Sequence, residues 1–427
     1  MTRVEMWVVA AALALFMFYF VIRFNSLWIY RLFDRALANK RDCIPPEYEL
    51  PCYFRLDKQG KLNTNAKWPG WDGWYFFVIP DAAQVPMKMI RGSLMTGLYG
   101  LNGVDNYSML PRGIGTFHAV ELLTLTPTEE FPRPVIEDSH SKTNHLCHSY
   151  EPKPALHMDL KQLSVEISSA LNGGRYTAEH PETPSGMIRG KWPAYQFSFR
   201  DSAAEIEFDL AYKGKDLIWW ADIPGIFTYF AAFGEISGTM RCKLLAEGVS
   251  AKSEPRESTY QIRGSGAFEH GYARKPFNFD LLYLPVRAVQ KIVPSFRPIL
   301  YHYLLLIGDN DLHGGCMYAR GFGIEFRNRG GLYVDGAYIE IEGIEIRYLE
   351  SEEYRENDAA RSRSSVRFPT RWTVSGKTPK GELELNMTRP WPPARIASNM
   401  IYYNHFFEGT FQGKKIRGTG YGEYLSI

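Results

Sequence analysis

Glu269 and His270 stand side by side in the run GSGAFEHGY (264–272), and they are the pair whose types could do chemistry. A carboxylate beside an imidazole serves as a general acid when burial moves the carboxyl pKa upward. In a strand, alternation sends the two side chains to opposite faces, so a given cavity receives at most one of them. The competing reading is that both satisfy backbone groups at a domain junction. A second cluster, His140, His145, Cys147, His148 and His157, gathers nitrogen and sulfur donors. Its spacing fits no zinc or copper pattern and its stretch reads as a Pro- and Ser-rich loop, so neither a metal nor another cofactor is expected.

Other chemistries lack their frames. Gly97-x-x-Gly100-x-x-Gly103 is not set between a strand and a helix and has no phosphate-loop Lys. No Gly-x-Ser-x-Gly elbow exists for a hydrolase.

The elements that must position these residues are strands. Beyond residue 45 the period is two: Ile206, Phe208 and Leu210 alternate with Glu205, Glu207 and Asp209, and Leu383, Leu385 and Met387 alternate with Glu382, Glu384 and Asn386. Between Tyr338 and Tyr348 the alternation slips once, at Gly343, which predicts a bulge. The charged run from Glu350 to Arg367 reads as a solvated loop, and Asp309-Asn310-Asp311 as a turn. Leu281–Ile292 has a helical period that Pro285 interrupts. Strands with one apolar and one polar face, separated by Gly, Pro and Asn, predict antiparallel sandwiches or barrels.

An internal repeat organises the chain. IRGSGAFEH begins at Ile262 and IRGTGYGEY at Ile416, 154 residues further on. Each follows a strand of one type, AEIEFDL (204–210) or GELELNM (381–387), and an aromatic segment that reads as a hairpin, TYFAAFGEISG (228–238) or IYYNHFFEGTF (401–411). Two related β domains, 45–275 and 276–427, are expected, after an anchor over 1–44. The repeat sets Glu423 and Tyr424 where the first copy has Glu269 and His270, which favours a structural role for the glutamate.

Three segments resemble the tandem lipocalin-like superfamily that includes AttH, carotenoid 1,2-hydratases, tocopherol cyclase-type proteins and some fungal pericyclases. PGWDGWYFFV (69–78) resembles its aromatic opening strand, GSGAFEHGY its first closing motif, and FFEGTFQGKKIRGTGYGEYL (406–425) its final strand pair. The resemblance implies two tandem lipocalin-like barrel or sandwich domains over residues 68–427. It also implies proton-transfer chemistry at Glu269, His270 and Tyr272, where Glu stands for the family's Asp and Tyr for its Trp. The Tyr and Asp that the hydratases place on the next strand fall here at Ile307 and Gly308, so carotenoid hydration specifically is not expected. Trp71, Trp74, Tyr75, Trp219, Trp220 and Tyr229 are core residues first, and some could line a cavity for one small apolar ligand.

Charge and hydropathy place the chain at a membrane. Residues 1–41 carry +4 and the rest therefore −2, so a nucleic-acid partner is excluded for want of a basic stripe. Val4–Ile22 is apolar except for Glu5, and nineteen residues span about 28 Å, close to a bilayer core. Arg23, Arg31, Arg35, Lys40 and Arg41 follow it, which predicts an uncleaved single-pass transmembrane helix with the body on the cytoplasmic side. Asn25–Asn39 suits a helix lying in the interface below it, with Trp28 and Tyr30 at headgroup depth. Five scattered cysteines without a CxxC pair fit a reduced compartment, whereas the triplets at Asn106 and Asn386 would suit a luminal one. The expected partners are the lipid bilayer and an apolar small molecule; the sequence names no protein partner. Three functions follow: a membrane-anchored binder of an apolar lipid or isoprenoid, a hydratase, cyclase or isomerase of the same fold, or a structural protein with filled barrels.

Overall fold

The computed structural model describes residues 39–41, 44, 70–81, 87–98, 117–127, 136–138, 141–143, 145–150, 155–159, 163–168, 185–201, 206–223, 227–244, 256–274, 289, 292–293, 296–309, 311–321, 324–325, 328–354, 366–389, 394–395 and 400–426, together with Phe16. The expected span over Val4–Ile22 and the interfacial segment after it otherwise lie outside the described residues. Among the described residues no helix is long and apolar enough to cross a membrane.

The first half is a single curled antiparallel sheet. In chain order it begins with β1 (Asn39–Arg41), β2 (Gly70–Pro80), β3 (Met87–Leu98) and β4 (Phe117–Pro127). A separate small pair, β5 (Ile136–Asp138) and β6 (Ser141–Thr143), precedes β7 (His145–Tyr150), β8 (Ala155–Asp159), β9 (Leu163–Ser168), β10 (Ser185–Lys191) and β11 (Ala194–Asp201). Three long strands complete it: β12 (Ile206–Ile223), β13 (Phe227–Leu244) and β14 (Arg256–Arg274). The sheet order is β7-β4-β3-β2-β14-β13-β12-β11-β10-β9-β8, with β1 paired to β12. Asn39–Arg41, grouped with the anchor in the sequence reading, thus belong to this sheet.

The second half is a closed barrel of eight strands. It comprises β15 (Ile299–Gly308), β16 (His313–Gly321), the short β17 (Ile324–Glu325), β18 (Arg329–Val334), β19 (Ala337–Tyr354), β20 (Val366–Thr378), β21 (Gly381–Thr388), the short β22 (Ala394–Arg395), β23 (Met400–Phe411) and β24 (Lys414–Ser426). The path β15-β24-β23-β21-β20-β19-β18-β16 closes because β15 also pairs with β16, leaving β17 and β22 as appendages. Closure removes free edges from those eight strands.

Local sequence explains the elements. The expected bulge sits at Gly343, where φ is +61° and the β19–β20 register shifts between Glu342 and Glu345. The Asp309–Asp311 turn joins β15 to β16: the Gly308 amide donates to the Leu312 carbonyl at 2.7 Å, and Asp311 takes φ +54°. Two sequence readings are corrected. The aromatic segments 228–238 and 401–411 are not hairpins but parts of the single strands β13 and β23. The run from Glu350 is strand as far as Tyr354, because its charges project from β19 while the backbone pairs with β20.

Glycines admit rings into the barrel. Along β24, Gly418, Gly420 and Gly422 share the inward face, and the rings of Phe407, His405 and Tyr403 on β23 lie where their Cβ atoms would stand. The barrel core also contains Leu304, Leu306, Ile341, Phe368, Trp372 and Leu385. A second apolar cluster lies between the two halves and draws Tyr75, Phe77, Trp219 and Phe233 from the sheet and Tyr303, Leu305, Tyr333 and Tyr421 from the barrel.

Candidate functional site at the face between the halves

Strand alternation decides where each candidate residue points. In the first sheet Trp219, Ala231, Glu269 and Tyr75 form one row across β12, β13, β14 and β2, and the next row holds Trp220, Phe230, His270 and Trp74. The first row packs against the barrel. The second is on the opposite face, where His270 stacks on Trp74 at 4.9 Å between centroids and meets Phe230 edge-on. Glu269 and His270 are both 2% exposed, yet they lie on opposite faces of one strand.

The sheet brings Tyr229 within reach of Glu269. Tyr229 pairs with Gly271, two residues beyond the glutamate, so it is a diagonal neighbour on the same face. Its hydroxyl donates to Glu269 Oε1. The barrel supplies the second donor: Tyr303 Oη lies 3.1 Å from the same carboxylate oxygen and 2.6 Å from Tyr229 Oη. Two hydroxyls from different halves thus converge on one buried carboxylate. A buried carboxylate without partners would cost several kcal/mol.

The repeat places an equivalent carboxylate across the same face. Glu423 lies opposite Tyr303 on β15, as Glu269 lies opposite Tyr75 on β2. Tyr301, the diagonal neighbour, hydrogen-bonds Glu423, and Tyr421 Oη donates to Glu423 Oε1 at 3.2 Å. Burial, and then the nearby carboxylates, push the pKa of Tyr229 and Tyr301 well above the ordinary tyrosine value. Tyr303 is raised in the same way, by burial first and Glu269 second. All three hydroxyls therefore stay protonated near neutral pH and act as hydrogen-bond donors rather than proton reservoirs.

Aromatic rings wall the cluster. Trp219 stacks on Tyr303 at 5.8 Å with 2° between planes, and it meets Tyr229 edge-on. Gly315 makes room for it, since a Cβ there would come within 2.6 Å of the indole. Trp219 Nε1 is buried without a hydrogen-bond acceptor among the described residues.

The sequence candidates therefore divide. Glu269, Tyr75, Trp219 and Tyr229 share the face between the halves, while His270, Trp74 and Trp220 lie behind it. The side chains of Trp71 and Tyr272 lie outside the described residues, as do those of the His140–His157 cluster. No group of three metal-ligating side chains occurs among the described residues. Ile307 packs in the apolar cluster. Sequence reasoning missed Tyr301, Tyr303 and Tyr421, although the alternation Tyr301-His302-Tyr303 was the available signal. A cavity of about 300 Å³ opens at the Gly343 bulge, lined by Glu325, Asn328, Arg329, Glu342 and Glu345; none of the tyrosine–glutamate cluster lines it.

No protein-family model and no curated protein matches the sequence. Solved structures are similar in fold. A putative AttH from Nitrosomonas europaea aligns with a TM-score of 0.45 at 8% identity, covering 84% of this chain and 92% of that one. Kievitone hydratase from Nectria haematococca gives 0.44 at 8% identity, covering 92% and 97%. CghA, solved with Sch210972, gives 0.46 at 9% identity, covering 86% and 90%. All three have lipocalin-like folds of the AttH type. At these identities the likeness concerns fold and brings no chemistry with it.

Proposed function

We propose that the face between the curled sheet and the barrel binds an apolar ligand of the lipid or isoprenoid class and that Glu269 moves a proton on it. The observation that carries this reading is the convergence of Tyr229 and Tyr303, one from each half, on a single oxygen of buried Glu269. Glu269 would accept a proton from a ligand C–H or from an added water and return it at another carbon, which is isomerisation, cyclisation or hydration. Tyr229 and Tyr303, held neutral, would keep their protons on Glu269 and fix the orientation of its carboxylate, leaving a ligand oxygen to other donors. Trp219 and Tyr75 supply apolar walls, and Trp219 Nε1 a further donor.

Binding without turnover is the second reading, favoured by the aromatic walls alone. Both are tested by incubating full-length protein with a panel of isoprenoid alkenes and enones in D₂O and reading deuterium or water addition by mass spectrometry. Wild type is expected to introduce label, and Glu269→Gln to retain the ligand without labelling it. Labelling undiminished in folded Glu269→Gln would overturn the catalytic reading. Ligand retention unaffected by Trp219→Ala would overturn the binding site itself.

A further inference from the structure

We propose that the linker between the two halves docks on a bilayer containing anionic lipid, with an outward apolar stripe set among the acyl chains. Val289, Ile292, Val293 and Phe296 recur at i, i+3, i+4 and i+7, the spacing of one helical face. The Val293 amide donates to the Val289 carbonyl at 2.7 Å, a single helical turn that ends at Ile292, and a separate turn follows, the Phe296 amide donating to the Val293 carbonyl at 3.0 Å. Such a stripe normally faces a core. Here the four side chains are 39%, 84%, 45% and 36% exposed. They make up most of the large exposed apolar side chains among the described residues, so the exposure is gathered in one place.

Charge selects the occupant. From Leu281 to Pro298 the sequence holds Arg287, Lys291 and Arg297 and no acid. A protein partner would ordinarily be met by both signs, whereas an apolar stripe in a stretch whose sequence holds cations alone suits anionic headgroups. Position adds a reason: Phe296 precedes Tyr301 by five residues, so the stripe leads into the strand that carries Tyr301 and Tyr303. The inference stands without the proton chemistry proposed above and would survive its failure.

The test uses the full chain with vesicles of phosphatidylcholine, with and without phosphatidylserine, containing a lipid with a photoreactive group in its acyl chain. After irradiation, peptides are mapped by mass spectrometry, so that adducts on 285–297 are read separately from any on the N-terminal apolar segment. Adducts on Val289–Phe296 are expected, and more of them with phosphatidylserine. Replacing Arg287, Lys291 and Arg297 by Glu is expected to reduce them at least about tenfold, since each cation near an anionic surface contributes roughly a factor of five. Ile292→Ser with Phe296→Ser should reduce them as well, with an unchanged melting temperature. Adducts confined to the N-terminal segment would overturn the proposal. So would yields independent of lipid charge.

Discussion

The two halves share strand order and a closing motif, yet among the described residues one remains open and the other closes. In the curled sheet the repeat-equivalent inner pair is Trp74 opposite His270; in the barrel it is His302 opposite Tyr424. The imidazole has changed strands while the aromatic–histidine contact has persisted. On the outer face the opposite holds, because each half presents a glutamate with a facing and a diagonal tyrosine, Glu269 with Tyr75 and Tyr229, Glu423 with Tyr303 and Tyr301. The interiors are packing solutions and tolerate exchange. The outer faces meet, and there groups from both halves address the Glu269 carboxylate.

The largest expected effect separates the two glutamates. Glu269 is buried and receives a donor from each half; Glu423 is half-buried, and Tyr421, which donates to it, comes from its own half. Glu269→Gln should lower turnover by about 10²–10⁴, the usual worth of a positioned acid or base, and Glu423→Gln by much less. Comparable losses in steady-state kinetics would mean that the pair works as one unit.

Acid should distinguish the barrel. Burial holds the pKa of His302 and His405 at about 3 and that of His313 at about 4, below the ordinary 6.5. As pH falls below 6.5 the unfolded chain takes up protons that the folded chain refuses. Stability present above that pH is therefore lost toward about pH 3, at roughly 1.4 kcal/mol per pH unit for each histidine. His405 has no hydrogen-bond partner on either ring nitrogen among the described residues, so His405→Leu should remove its share of the slope without destabilising the protein at pH 7. Denaturant midpoints at several pH values measure this.

Glycine substitutions sharpen the contrast between open and closed. A Cβ at Gly266 would strike the Phe77 carbonyl oxygen, and one at Gly420 would strike that of Leu305. Each alanine should cost about 1–3 kcal/mol as overpacking. Gly420→Ala should lie toward the upper end, because a closed barrel cannot splay, and equal losses in melting experiments would show that closure adds no stiffness. The smallest effect is expected from Tyr421→Phe, which removes one hydrogen bond to a half-buried carboxylate and should cost about 1 kcal/mol or less.

Period and punctuation made the strands legible: Gly343 marked its bulge, Asp309–Asp311 its turn, and the IRG repeats the last strand of each half. Alternation alone also places Glu269 and His270 on opposite faces. What could not be read is which face meets the other half, because both are apolar apart from one residue each. Tyr303 reaches Glu269 across 34 positions and Tyr229 across 40, separations at which no local pattern signals contact. Closure was hidden for the same reason, since it depends on β15 pairing with both β16 and β24.

The central claim is that ligand and proton chemistry belong to the face between the halves and not to the barrel interior. Native mass spectrometry of detergent-purified full-length protein tests it, by comparing copurified apolar ligand in wild type, in Trp219→Ala with Tyr303→Phe, and in His405→Leu. The account predicts that occupancy is lost in the double variant and retained in His405→Leu, with all three folded. Loss of ligand in His405→Leu and its retention in the double variant would contradict it.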